Sequence, residues 1–94
     1  MVTMFVKHTV NAYNKWKPVY DDLGATRSRM GVTGAAVYRD PNDANVIIVT
    51  HDFNDLKSAM AFANSKDLKD AMEHAGVAGR PEFWFGEELE HTNH

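Results

Sequence analysis

Apolar and polar residues alternate over Met1–Val10, and this pattern predicts a strand because successive strand side chains point to opposite sides. Similar patterns predict strands at Ala35–Arg39, Val46–Phe53 and Glu82–Phe85. The apolar face of the first strand carries Val2, Met4, Val6, His8 and Val10. We therefore expect four strands, the first with one buried face.

Helical spacing separates these strands. Tyr13, Trp16, Tyr20 and Leu23 form one stripe, which predicts a helix over 13–23 that ends at Gly24, followed by an ordered connection. A longer helical stretch spans Asp55–Ala75. Its apolar stripe shifts phase in the middle, which predicts a break near Asn64 and Ser65, with Ser65 capping a second segment.

The order strand, helix, strand, strand, helix, strand predicts an α+β, ferredoxin-like βαββαβ fold with a four-stranded antiparallel sheet. Right-handed crossovers give the strand order fourth, first, third, second, with both helices on one face. Residues 1–94 form a single domain, and we expect the polar tail over 86–94 to be flexible. The unbroken apolar run Val46–Val49 favours a central strand covered on both sides, by helices and by a second copy.

Composition excludes several classes of function. The net charge of −3 disfavours nucleic acid as a partner. The chain has no cysteine, which excludes disulfides, thiolate metal sites and cysteine nucleophiles. No apolar run is long enough for a membrane span, and the first residues are typical of a strand rather than a signal peptide, so we expect a cytoplasmic protein.

Topology predicts a candidate site at one edge of the sheet. His8 ends the first strand, Arg39 ends the second, Glu82 starts the fourth and His74 ends the second helix, so all four are expected to meet there. Tyr13 and Trp16 flank this cluster at the start of the first helix. An apolar cleft with a few convergent polar groups is typical of a small-molecule site. His51 ends the third strand, so the same topology places it at the opposite end, as a surface or interface pair with Asp52.

Structural explanations compete with each of these functional ones. His8 also fits a hydrogen-bonded core histidine, and His74 fits a cation favoured by a helix C-terminus. Arg39 and Glu82 fit solvated strand ends, and Tyr13 and Trp16 fit core aromatics. A metal site from His8, His74 and Glu82 has no support from local spacing, so no metal is expected.

Several segments carry a family resemblance that spans nearly the whole chain. They are His8-Thr9-Val10 with Tyr13, Trp16 and Lys17, then Gly34–Asp40, Ala61–Ala63, Leu68–Met72 and Gly76-Val77. With these segments the chain resembles the dimeric α/β-barrel superfamily, in particular the small antibiotic-biosynthesis monooxygenase-like proteins.

This resemblance implies a homodimer whose sheets pack face to face, with a small-molecule pocket between sheet and helices in each subunit. Members include cofactor-independent oxygenases, haem-degrading oxygenases, polyketide cyclases and isomerases. The haem degraders hold iron through a second-helix histidine, and Met72 falls at that position here, so no cofactor is expected. The cyclases use a histidine near the end of that region, which His74 could match, but no tyrosine partner stands beside it on the second helix.

Together these features predict a small enzyme of the cofactor-independent monooxygenase or polyketide cyclase type. A phenolic or enolisable, aromatic or polyketide-like substrate would bind against Tyr13, Trp16, Met72 and Glu82. His74 or His8 would remove a proton, and Arg39 would stabilise the resulting anion. The alternatives are a non-catalytic small-ligand-binding homodimer and, with less support, a haem- or metal-binding member of the same superfamily.

Overall fold

The computed structural model describes residues 1–94 and contains one sheet and four short helices. The strands are antiparallel and lie in the order β2-β3-β1-β4, which confirms the predicted ferredoxin-like arrangement. None of the helices has the length and apolarity needed to cross a membrane. The elements are β1 Val2–Val10, α1 Tyr13–Asp22, α2 Gly24–Arg29, β2 Val32–Asp40, β3 Asp43–Phe53, α3 Leu56–Ala63, α4 Lys66–His74 and β4 Val77–Glu87.

The predicted break in the second helical stretch is confirmed. Helix α3 ends before Asn64, and Ser65 is the N-cap of α4. The Ser65 hydroxyl accepts a hydrogen bond from the Leu68 N–H at 3.1 Å and donates one to the Phe62 carbonyl at 2.8 Å. One serine therefore satisfies polar groups of both helix ends.

The connection after α1 is itself helical. Helix α1 ends at Asp22 with Leu23 as its C-cap, and Gly24 begins the short helix α2 instead of only ending the first one. Residues 25–29 contain neither glycine nor proline, so a further helical turn and a half meets no local obstacle. Gly31 then adopts φ 96°, a left-handed conformation that turns the chain into β2.

The hydrophobic core lies between the sheet and the helices. Alternate residues of β1 and β3 point toward the helices, and the most enclosed of them, Met4, Ile47 and Phe53, have no exposed surface. Phe62 of α3 packs against Phe53 with ring centroids 5.9 Å apart. The first-strand face predicted to be apolar is thus the face that the helices cover.

No helix covers the opposite sheet face. There the rings of Phe5 and Trp84 stack with centroids 5.4 Å apart, and Trp84 is 44% exposed. Tyr38 on β2 is 56% exposed. We call this surface the open face.

Strand β4 is longer than predicted and pairs irregularly with β1. Lys7 pairs with Glu82 and Thr9 with Ala78, so three residues of β4 lie opposite His8 alone. These three include Pro81 and Gly79, which has φ 72°. The interruption falls at the edge of the sheet, where a proline and a bulge are tolerated.

Candidate functional site

A cavity of about 40 Å³ lies between the sheet and helices α1 and α4. Ten of its twelve lining residues are hydrophobic, and the other two are His8 and His51. Val6 and Val49 line it from the sheet, and Trp16 lines it from α1. We call it the histidine cavity.

Both histidines are buried on the helix side of the sheet. His8 is 5% exposed and His51 is 3% exposed. His8 pairs with Ile47 on β3, and His51 lies four residues further along that strand, which corresponds to about 13 Å. The two imidazoles therefore stand toward opposite ends of one cavity.

The imidazole nitrogens are not used by the fold. His8 Nδ1, His8 Nε2 and His51 Nδ1 are enclosed and have no hydrogen-bond partner in the protein. Leaving a buried polar atom unpaired costs about 1–3 kcal/mol. These unpaired nitrogens therefore lower the stability of the folded protein. Buried polar atoms without a partner are common where a protein binds a ligand.

Burial also decides the charge of both groups. Desolvation lowers the pKa of His8 to about 4. Desolvation first, and then the Arg27 guanidinium, lowers the pKa of His51 to about 4, while Asp52 acts in the opposite direction. Because both values lie well below 7, both imidazoles are neutral at that pH, and burial makes each a weaker base than an imidazole in water.

An unbroken line of aromatic contacts runs along the helix side. Trp16 packs edge-on to His8 at 5.7 Å and stacks on Tyr20 at 5.0 Å between centroids. Tyr20 lies 6.5 Å from His51, whose ring lies 5.2 Å from Phe62. Flat aromatic walls of this kind favour a planar apolar ligand.

Two arginines flank this line at different places. The Arg27 guanidinium lies 3.9 Å from the Tyr20 ring centroid and donates to the Tyr20 carbonyl at 2.6 Å. Arg39 lies 5.0 Å from the Tyr13 ring centroid, and Tyr13 packs against Trp16 at 5.8 Å. Tyr13 and Trp16 thus separate Arg39 from the histidine cavity, whereas Arg27 caps one of its walls.

The predicted meeting of His74 with His8 is wrong. His74 is exposed and does not line the cavity. Helix α4 points Leu68, Ala71, Met72 and Ala75 inward, at the spacing of one helix face. His74 follows Met72 by two residues, or about 200° around the helix, and so it faces away.

Glu82 does not line the histidine cavity, although it and His8 both border a separate surface depression beside β4. It pairs with Lys7, and paired residues share a sheet face, so Glu82 lies on the face opposite to His8. The fold also brings no three His, Asp or Glu side chains together in a way that could hold a metal ion. Of the predicted site residues, His8, Trp16 and Met72 line the histidine cavity, and Tyr13 supports Trp16.

The sequence-based prediction missed His51, Tyr20 and Arg27. The sequence predicts His51 as part of a surface or interface pair at the opposite end of the sheet, yet it is buried in the same cavity as His8. The signal was present, because His51 is two residues from Phe53 and must share its face. Its neighbour Asp52 does face the other way, accepting a hydrogen bond from Thr3 at 2.8 Å.

Comparisons with known proteins identify the fold. No family model and no curated protein matches the sequence. Among solved structures, an antibiotic biosynthesis monooxygenase-like protein from Bordetella bronchiseptica superposes with a TM-score of 0.79 at 14% identity, over 95% of this chain and 97% of that one. SnoaB, a cofactor-independent oxygenase from Streptomyces nogalater, gives a TM-score of 0.78 at 14% identity, over 96% and 94%.

A third structure, an antibiotic biosynthesis monooxygenase-like protein from Nitrosomonas europaea, gives a TM-score of 0.75 at 11% identity over 98% of this chain and 93% of that one. The fold that the sequence resemblance implies is therefore confirmed. At sequence identities this low, structural similarity establishes the fold but not the substrate or the reaction.

Proposed function

We propose that this protein is a small-molecule enzyme of the cofactor-independent monooxygenase or cyclase type, acting on a phenolic or enolisable substrate. One observation carries the proposal: two neutral, unpaired imidazoles are buried in a cavity that is otherwise apolar. The similarity of fold to SnoaB supports the oxygenase form.

The first step is removal of a proton by an imidazole. Three of the four imidazole nitrogens are fully enclosed, and the exception is His51 Nε2, which makes it the nitrogen most open to a ligand. His51 would take the O–H proton of a phenol through this nitrogen, leaving a phenolate beside an imidazolium. His8 lies at the other end of the cavity and would become a second acceptor once a bound substrate uncovers one of its enclosed nitrogens.

A phenolate in an apolar cavity needs a compensating charge. Sequence analysis gives this role to Arg39, but Tyr13 and Trp16 separate Arg39 from the cavity. Arg27 is closer to the His51 end, where it lies against the cavity-lining Tyr20. The positive charge of Arg27 disfavours protonation of His51 in the empty cavity. Once a substrate is bound, the same charge stabilises the phenolate that proton transfer creates.

Dioxygen is the co-reactant in the oxygenase form. The phenolate carries negative charge at its ring carbons, and one of these forms a bond to dioxygen. The peroxide takes the proton from the imidazolium, and loss of water then leaves a quinone, so that phenol and dioxygen give quinone and water. In the cyclase form the same base generates an enolate that attacks a carbonyl of the same molecule.

A second copy of the chain completes the assembly in this proposal. The open face exposes aromatic side chains, among them Trp84 and Tyr38, and carries no helix. Face-to-face packing of two identical sheets would bury them, leaving one histidine cavity in each protomer.

The test is turnover by histidine variants. Oxygen consumption is measured with a panel of hydroxynaphthalenes, using His8→Asn, His51→Asn and the double variant, with His74→Ala as the matched control. We expect about 100-fold or greater loss for the double variant and no loss for His74→Ala. Full turnover by a folded double variant would refute the proposed mechanism.

A non-catalytic ligand-binding protein is the competing function, because both His8 nitrogens are fully enclosed by the fold. It would show as saturable binding of a hydroxynaphthalene with no oxygen uptake and no product. Binding that is unchanged in the double variant would identify the histidines as core residues.

A further inference from the structure

The histidine cavity has a larger neighbour. A groove of about 770 Å³ runs between α4 and β4, bordered by Ser65, Lys69, Pro81 and Phe83. Leu68 and Met72 line both this α4–β4 groove and the histidine cavity. These two side chains are therefore the boundary between a small, mostly apolar space and a larger, mostly polar one.

The size of the histidine cavity makes this boundary important. About 40 Å³ is room for a few water molecules, whereas a cavity of about 150 Å³ is known to take up benzene. A phenol ring therefore needs one wall to move. If the proposed function holds, the wall that moves determines which substrates fit.

Met72 is the side chain suited to move. Leu68 is 6% exposed and belongs to the core cluster with Phe53 and Phe62, so its displacement would disturb the fold. Met72 is only partly buried and lies at the margin of that cluster. Its unbranched, flexible side chain changes rotamer at little cost.

We infer that a ligand occupies the histidine cavity and the α4–β4 groove together, and that Met72 is the specificity-determining residue at their boundary. The inference rests on the proposed function, which places the aromatic ring of the substrate in the histidine cavity, and it adds a binding place for the rest of the substrate. The aromatic head lies in the cavity, and a polar chain passes Met72 into the groove.

The groove indicates the chemistry of that chain. Its charged residues are of both signs, and Lys66 and Asp70 already pair at 3.6 Å. Asn64 and Ser65 add uncharged polar groups beside them. This surface offers hydrogen bonds without an excess of either charge, which favours an uncharged chain with amide or hydroxyl groups.

Two phenols test the inference as a matched pair. 4-Ethylphenol has the phenol ring and an ethyl group, and N-acetyltyramine adds an acetamide group to the end of that ethyl group. Binding is followed by the fluorescence of Trp16, which lines the cavity, in a Trp84→Phe background that removes the other tryptophan. We expect N-acetyltyramine to bind about tenfold more tightly, as one or two net hydrogen bonds would give.

Variants of Met72 locate the effect. Met72→Phe adds bulk at the boundary and should reduce the tenfold preference to about onefold. Met72→Ala removes the wall, so both phenols should bind several-fold more tightly with the preference retained. Met60→Ala is the matched control, since Met60 is exposed on α3 and lines neither space. Thermal unfolding of each variant confirms that it is folded.

The outcomes separate the two proposals. Equal binding of the two phenols by the parent protein, or a tenfold preference that survives in folded Met72→Phe, would overturn the inference and leave the histidine site standing. If neither phenol changes Trp16 fluorescence in the parent or in Met72→Ala, the proposed site and the inference both fall.

Discussion

The two faces of the single sheet have opposite characters. The helix side contains the core, the aromatic line and both buried histidines, with three imidazole nitrogens left unpaired. The open face has no buried, unpaired side-chain polar atom, and Thr3 donates a hydrogen bond to Asp52 there, but the large aromatic side chains of Trp84 and Tyr38 are exposed. One face therefore retains unsatisfied polar atoms, and the other retains unburied apolar surface. In the proposed function, the unsatisfied polar atoms serve a ligand and the unburied apolar surface receives a second copy of the chain.

Matched phenylalanine substitutions give the strongest contrast between the faces. Phe53→Ala on the helix side should lower the free energy of unfolding by about 3–5 kcal/mol, because it leaves a cavity in the core. Phe5→Ala on the open face should cost less, by an amount that varies with protein concentration if a second copy covers it. Urea unfolding at two protein concentrations measures both. A smaller cost for Phe53→Ala than for Phe5→Ala would reverse the assignment of the core.

The second prediction concerns acid: lowering the pH should destabilise the folded protein through the two buried histidines of the helix side. The pKa of each buried histidine is lowered from 6.5 to about 4, so the folded state resists protonation that the unfolded state accepts. This contribution to stability is complete above pH 6.5 and is lost as the pH falls toward 4. Thermal unfolding midpoints between pH 7 and 4 should fall more steeply for the parent than for His51→Phe. His91→Ala in the exposed tail should follow the parent curve.

A charge on the open face should weaken self-association. Trp84→Glu would bury a carboxylate against the second copy, and we expect the dimer dissociation constant to rise at least about 30-fold, or about 2 kcal/mol. Leu56→Glu is the matched control, since Leu56 is comparably exposed, at 51%, but begins helix α3 instead. Sedimentation equilibrium measures both. A parent protein that stays monomeric at micromolar concentration would exclude the homodimer.

The smallest expected effect concerns Ser65, the N-cap of helix α4. Ser65→Ala removes the acceptor of the Leu68 N–H and should cost about 1 kcal/mol. Ser28→Ala on the exposed surface of α2 should have little effect or stabilise slightly, because alanine has the higher helix propensity. Chemical unfolding of both variants, in parallel with the parent, provides the comparison.

The sequence predicts the fold better than the site, for physical reasons. Strand order follows from alternation and crossover handedness, and the Ser65 break follows from a phase shift in the apolar stripe. Whether side chains meet in one site depends on the face of the strand or helix on which each of them lies, and a shift of one or two residues changes that face. The continuous apolar run Val46–Val49 hides the alternation of β3, so His51 is easily assigned to the wrong face. For His74, a position two residues after Met72 reverses its direction on α4.

Other parts of the site have no local signal at all. Arg27 lies near Tyr20 because α2 folds back beside α1, and the sequence predicts only an ordered connection where α2 forms. The boundary role of Met72 depends on two spaces of different size that meet at one side chain. Neither fact is contained in a spacing of residues.

The interruption in β4 has a consequence for aggregation. A sheet with free outer strands can grow by adding strands of other molecules along its edge, which is a common route to fibrils. In β4, Pro81 lacks an N–H, and three residues face His8 alone, so the outer hydrogen-bonding groups do not form a regular row. Regular edge-to-edge pairing is interrupted at this part of β4, whereas the exposed aromatic rings on the sheet surface stay free for association.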